Sequence, residues 1–181
     1  RNVVLACVQA NNLSWPTWKG QRKQGPQLIR QIVESLAESL PSEDVRVVLT
    51  GHSGGGSFLF GYLDAVEEIP PLVERIAFLD ANYGYDNAQR HGEKILAWLD
   101  ANPSHQFVVL AYDDRNIELN GKKVVGPIGG TLRATHRLLD FVKEKTKVVE
   151  DKQGDFARYT AKDGRLTALI HPNPDNIILH T

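Results

Sequence analysis

One cysteine, Cys7, stands alone among 181 residues, so no intrachain disulfide can staple the chain, and methionine is absent altogether. No apolar run reaches the roughly 18 residues that a membrane-crossing helix needs, and no signal peptide is visible, so no membrane span is expected. Neither sign of charge dominates: 21 basic and 22 acidic residues leave a net charge of -1. That balance removes the bulk attraction to nucleic acid or to an anionic membrane and leaves a neutral small molecule as the default partner. Internal repeats, low-complexity tracts and linkers are also lacking. What is present is 41% hydrophobic and 24% charged residues over a length that suits one globular domain, residues 1–181. The chain enters an apolar run directly after Arg1 and stops in another at Thr181, so both ends read as cut.

The run Val3-Val4-Leu5-Ala6-Cys7-Val8 is apolar at every position, which predicts a strand covered on both faces and makes Cys7 a small buried hydrophobe. A polar loop containing Trp15 and Trp18 follows. From Gln27 onward Leu28, Ile29, Ile32, Val33, Leu36 and Leu40 fall at helical spacing until Pro41 stops them. The alternation then repeats, with a strand Val45 to Thr50, a helix Gly55 to Glu68 and a strand Arg75 to Asp80. A helix near Asn87 to Ala101 and a strand Gln106 to Tyr112 continue it. Glu118 to Val124 reads as a small hairpin before a helix Thr131 to Lys145. Val148-Val149, Phe156 to Thr160, Leu166 to His171 and Asn176 to Thr181 read as short extended stretches. Strands alternating with helices predict an α/β fold, a three-layer sandwich with a mainly parallel sheet.

Within that pattern the stretch Gly51-His52-Ser53-Gly54-Gly55 sits between an incoming strand and an outgoing helix. A turn that lifts a serine off the end of a strand is strained, and the positions two before and two after it must be nearly free of side chain for strand and helix to pass; Gly51 and Gly55 meet that demand. Serine at its ordinary pKa is a poor nucleophile, so a histidine must accept its proton and a carboxylate must orient that histidine. Asp80 closes one strand and Asp113 and Asp114 close another, and parallel strands present their C-terminal ends at one sheet edge. Asp80 and Asp114 carry equal weight as the acid, with Asp113 behind them; caps and turns are the alternative use of each. Asp86 reads as a loop residue in contact with solvent. Among the histidines, His52 adjoins the serine and points elsewhere, His91 and His105 precede the Gln106 strand, and His136 lies in a helix. His180 is preferred, His171 is second, and a histidine beyond Thr181 is a third alternative.

With this elbow at a strand end and βα units behind it, the chain resembles the α/β-hydrolase superfamily, of the serine esterase and lipase type, from about Val3 onward. The resemblance implies a nucleophile, an acid and a histidine in that chain order. On it, Ser53 is the nucleophile, Asp80 or Asp114 the acid, His180 the base and the backbone N–H of Gly54 an oxyanion donor. It implies no metal and no cofactor, and a small acyl substrate, an ester or, less favoured, an amide. A second oxyanion donor would come from Gln9 to Ser14 if Val3 to Val8 is the preceding strand, as in small cutinase-like hydrolases. It would lie before Arg1 if the first strands of a larger hydrolase are missing. Trp15 and Trp18 are placed either to line an acyl or ring pocket or to cover the sheet edge.

Three other readings compete. A phosphate-cradling turn would use the same glycine-rich junction, but no Lys-Ser/Thr pair follows Gly56, and Leu59 occupies the last glycine position of a dinucleotide fingerprint begun by Gly54 and Gly56. Metal binding by His171, Asp175 and His180 lacks any helical or paired-cysteine spacing. A catalytically inactive hydrolase fold used for binding would keep the elbow and lose the acid or the histidine.

Overall fold

The structure is a computed structural model and describes residues 2–180. Its main sheet is built from β1 (Val47–His52), β2 (Val73–Leu79), β3 (Gln106–Tyr112), β6 (Val149–Gln153), β7 (Phe156–Ala161) and β8 (Leu166–His171), in the order β1-β2-β3-β8-β7-β6. The first four in that order are parallel, and β7 and β6 extend the sheet antiparallel. Around it lie α1 (Trp15–Gly20), α2 (Gly25–Glu38), α3 (Gly56–Ala65), α4 (His91–Ala101) and α5 (Thr131–Lys145). A separate hairpin pairs β4 (Glu118–Leu119) with β5 (Lys122–Lys123). Its turn residues Asn120 and Gly121 both have positive φ, 54° and 73°, the pair of left-handed conformations that matches the twist of a tight hairpin.

Local chemistry explains the element limits. Pro26 sits in the first turn of α2, where its missing N–H has no helical partner to lose, and Ile29 and Val33 point one stripe inward. In α5, Leu138, Leu139 and Val142 are buried while Lys143 and Lys145 occupy the last turn, where cations favour the exposed carbonyls.

The crossovers β1-α3-β2, β2-α4-β3 and β3-α5-β8 all advance in one direction along the sheet, and right-handed connections therefore carry their helices to one face. The strand register agrees. Leu49, Ile76, Phe78, Phe107, Val109, Leu166 and Ala168 align across neighbouring strands and are buried. The alternate row is more open: Val48 is 55% and Leu79 38% exposed, Arg75 beside them is exposed, and Ala77, Val108, Leu110 and Thr167 are half-buried. The α/β class and the mainly parallel sheet match the sequence expectation. The three-layer sandwich does not, because among the described residues helices cover only one face.

Two extended predictions are also corrected. Val3 to Val8 forms no strand; Val3 and Leu5 are 87% and 82% exposed, and Cys7 is exposed rather than buried. An apolar run becomes a strand only where a sheet edge supplies hydrogen bonds and cover, and β1 remains the sheet's edge strand. Residues 176–180 likewise pair with no strand. No helix among the described residues is long and apolar enough to cross a membrane.

Candidate active site

β1 ends at His52, Ser53 opens a single 3-10 turn running to Gly55, and α3 begins at Gly56. Ser53 has φ of 53°, a left-handed conformation that a residue with a Cβ adopts at a cost of about 1–3 kcal/mol and keeps only when its surroundings impose it. The imposing contacts are backbone ones. A Cβ on Gly51 would lie 2.9 Å from the carbonyl of Gly55, and one on Gly56 would lie 1.8 Å from the carbonyl oxygen of Ala81. A Cβ on Gly55 would meet nothing within 4 Å. The requirement for a bare backbone thus falls on Gly51 and Gly56, not on Gly51 and Gly55, because the intervening 3-10 turn shifts the close passage one residue onward.

Asp80 directly follows β2 on the neighbouring strand and also has positive φ, 45°. Its backbone N–H donates to the Leu110 carbonyl at 2.8 Å. Its carboxylate is gripped on both oxygens: Oδ1 accepts the Thr131 hydroxyl at 2.6 Å, and Oδ2 pairs with Nδ1 of His180. The His180 ring stacks on His52 with centroids 4.6 Å apart, so His52 is a neighbour of this pair and does not point elsewhere. The segment carrying His180 is anchored by Asn173, 2% exposed, whose side-chain N–H groups donate to the carbonyls of Asp113 and Ile177, each at 2.9 Å. At the end of β3, burial together with Asp80 and Asp114 pushes the Tyr112 phenol up to about 12.

The remaining candidates lie in other contacts. Asp113 holds Arg115 at 2.6 Å, and that hydrogen bond keeps its carboxyl below the usual range. Asp114 is buried; Oδ2 accepts the Thr131 backbone N–H at 2.7 Å, and Oδ1 has no partner among the described residues. Burial raises its pKa. Nδ1 of His171 accepts the Asn173 backbone N–H at 3.0 Å, and its ring meets Phe156 edge-on. His105 is buried against Trp98, and His136 sits edge-on to Tyr159. Of the sequence candidates, Asp80 and His180 are joined at the sheet edge that carries Ser53, but no hydrogen bond among the described residues joins either of them to the Ser53 hydroxyl.

A cleft of about 640 Å³ opens beside Ser53 and Gly54. Its floor is one face of α3, marked by Ser57, Phe60 and Asp64; Pro16, Lys19, Pro26 and Gln27 form one wall, and the segment from Tyr83 to His91 the other. His91, 1% exposed, is fully engaged: Nε2 lies 2.9 Å from Asp64 Oδ1, and Nδ1 accepts the Asp86 backbone N–H at 3.1 Å. That geometry makes Nδ1 the acceptor and turns Nε2 toward the Asp64 carboxylate. Burial works to raise Asp64, but the His91 hydrogen bond and the Lys19 ammonium, 3.5 Å away, outweigh it and hold the carboxyl below the usual range. Trp15 and Trp18 do not line this cleft. Trp15 packs on Phe58 at 4.7 Å and on Trp18 at 5.3 Å, and Arg22 lies 4.1 Å over the Trp18 ring.

Sequence reasoning missed Thr131, Asn173 and the Asp64–His91 pair. Thr131 follows Gly129-Gly130 at a helix start, and Asn173 sits between two prolines; both are signals of special backbone, not of chemistry. Asp64 was legible as the third member of the face Ser57, Phe60, Asp64, spaced three and four apart along α3. No family model matches the chain, and no curated protein or solved structure matches it either.

Proposed function

We propose that the protein is a serine hydrolase that cleaves an ester bond through an acyl-enzyme on Ser53, with His180 as base and Asp80 as the acid that orients it. The observation that carries this reading is the Asp80–His180 pair, held at the strand end next to a serine in a left-handed elbow. With Nδ1 of His180 donating to Asp80, the lone pair of Nε2 is free to take the Ser53 hydroxyl proton as Oγ attacks a carbonyl carbon. The carbonyl π electrons move to oxygen, where the Gly54 N–H is the expected donor. The protonated His180 then returns its proton to the departing alkoxide, and water repeats the sequence to release the acid and free serine. Thr131, donating to the second oxygen of Asp80, keeps that carboxylate from turning away.

The chain is expected to take one covalent label at Ser53 from a fluorophosphonate. It is also expected to hydrolyse nitrophenyl acetate, with turnover falling about 10³- to 10⁶-fold in Ser53→Ala and His180→Ala. Intact-mass analysis and steady-state rates measure both. No label on folded protein, or equal labelling of Ser53→Ala, would remove the hydrolase and leave a binding fold with an inert elbow.

A further inference from the structure

The cleft that starts at Ser53 continues along α3 to a second cluster, Lys19, Asp64 and His91, which the hydrolytic steps do not use. Ser53 and Asp64 are eleven residues apart, so at 1.5 Å per residue the floor runs roughly 16 Å. Whatever leaves Ser53 along this path passes side chains that donate and accept hydrogen bonds: Ser57 on the floor, Gln27 and Gln89 from opposite walls, then Asp64 with Lys19. Tyr83 adds an aromatic ring beside the serine; burial and Asp80 push its phenol above the usual range, so the hydroxyl stays a donor. The lining is mixed: Phe60, the Tyr83 ring and the two prolines, Pro16 and Pro26, give apolar surface comparable in extent to the polar surface around them.

An alkyl chain laid here would strip water from amides, hydroxyls and an ion pair and return no hydrogen bond to any of them. A flat polar ring studded with hydroxyls returns one to each, and its C–H face suits Tyr83. A formal charge on the ligand is not called for at the far end, since Lys19 and Asp64 already face each other, and Asp86, which also lines the cleft, disfavours an anion.

We infer that the group bound along α3 is a neutral polyol of the sugar class, so that the substrate is a short acyl ester of a sugar hydroxyl and not a lipid ester. The inference rests on the hydrolase reading for its ester bond, while the polyol site itself stands on the cleft's own chemistry. Three acetates separate the two claims: nitrophenyl acetate, methyl 6-O-acetylglucoside and hexyl acetate. Ser53-dependent cleavage of the first tests the hydrolase reading alone. The second is expected to exceed the third in kcat/KM by tenfold or more. Gln27→Ala and Gln89→Ala are each expected to cut that preference about three- to tenfold, the weight of one or two hydrogen bonds.

Binding of methyl glucoside to Ser53→Ala, followed by saturation-transfer NMR with hexanol as the rival ligand, gives a readout that needs no turnover. Saturation transfer to the sugar that Gln89→Ala weakens supports the site. Hexyl acetate cleaved as well as or better than the sugar ester, or transfer to hexanol and none to the sugar, overturns the inference and leaves the hydrolase reading standing. Absence of Ser53-dependent nitrophenyl acetate cleavage overturns the hydrolase reading and the ester claim together.

Discussion

Asp114 shows how much one buried oxygen matters. It lies at the same sheet edge as Asp80, shares Thr131 with it, and yet has an oxygen without a partner among the described residues. Its pKa is raised by burial above the 3.8 at which it ionises in an unfolded chain. Below that pH both states hold the proton. As pH climbs past it, the unfolded chain loses its proton first, and stability drains away until the folded group ionises as well. Asparagine cannot ionise, and its amide oxygen still accepts the Thr131 N–H. The melting temperature of Asp114→Asn minus that of the parent is therefore expected to grow more positive as pH rises above about 4, and to level off once the folded group has ionised as well. Scanning calorimetry at several pH values measures it, and a difference that stays constant over this range would contradict a buried, proton-holding Asp114. Sequence alone left Asp80 and Asp114 level, since each closes a parallel strand. What separates them is which one meets His180, and that contact is not local.

Among elements, the junction of β1 with α3 sets the geometry of the elbow, and its tightest point is the approach of Gly56 to Ala81. Gly56→Ala must push the strand-end backbone at Ala81 away, and a loss of about 2–4 kcal/mol is expected, together with most of the turnover if the proposed esterase reading holds. Gly55→Ala faces open space and has an ordinary right-handed φ of -60°, so it is expected to change stability by less than about 1 kcal/mol. Urea unfolding and nitrophenyl acetate rates compare the two, and equal damage at both positions would displace the close passage from Gly56.

The same junction marks what a sequence can reveal. The strand, the glycine-flanked serine and the helix were legible because each is set within a few residues, as were α5 and the Asn120-Gly121 hairpin. The register of the glycines was not, because Gly54, Gly55 and Gly56 look alike until Ala81 arrives from another strand. Val3 to Val8 was misread for a related reason: six apolar residues describe a wish for cover, and the structure gives them none.

Across the whole molecule, the one-sided sheet divides the consequences of substitution. Leu49 faces the helices and is 7% exposed, while Val48, its neighbour on β1, is 55% exposed on the open face. Leu49→Ala is expected to cost about 2–5 kcal/mol and Val48→Thr less than about 0.5 kcal/mol. Denaturant midpoints measure both, and a comparable loss at Val48 would mean that the second face is covered in solution. The expected third layer was inferred from the alternation of strands with helices, and alternation alone does not say on which face of the sheet each helix lies.

Asp80 and His180 stand 100 residues apart, and the chain between them supplies β3, β8 and Asn173, on which their meeting depends. On the proposed hydrolase reading, a chain caught halfway to its fold carries a serine with neither partner, chemically as quiet as any surface hydroxyl. Turnover would then arrive only with the last long-range closure and serve as a clock for folding, readable in a refolding experiment without any spectroscopic label.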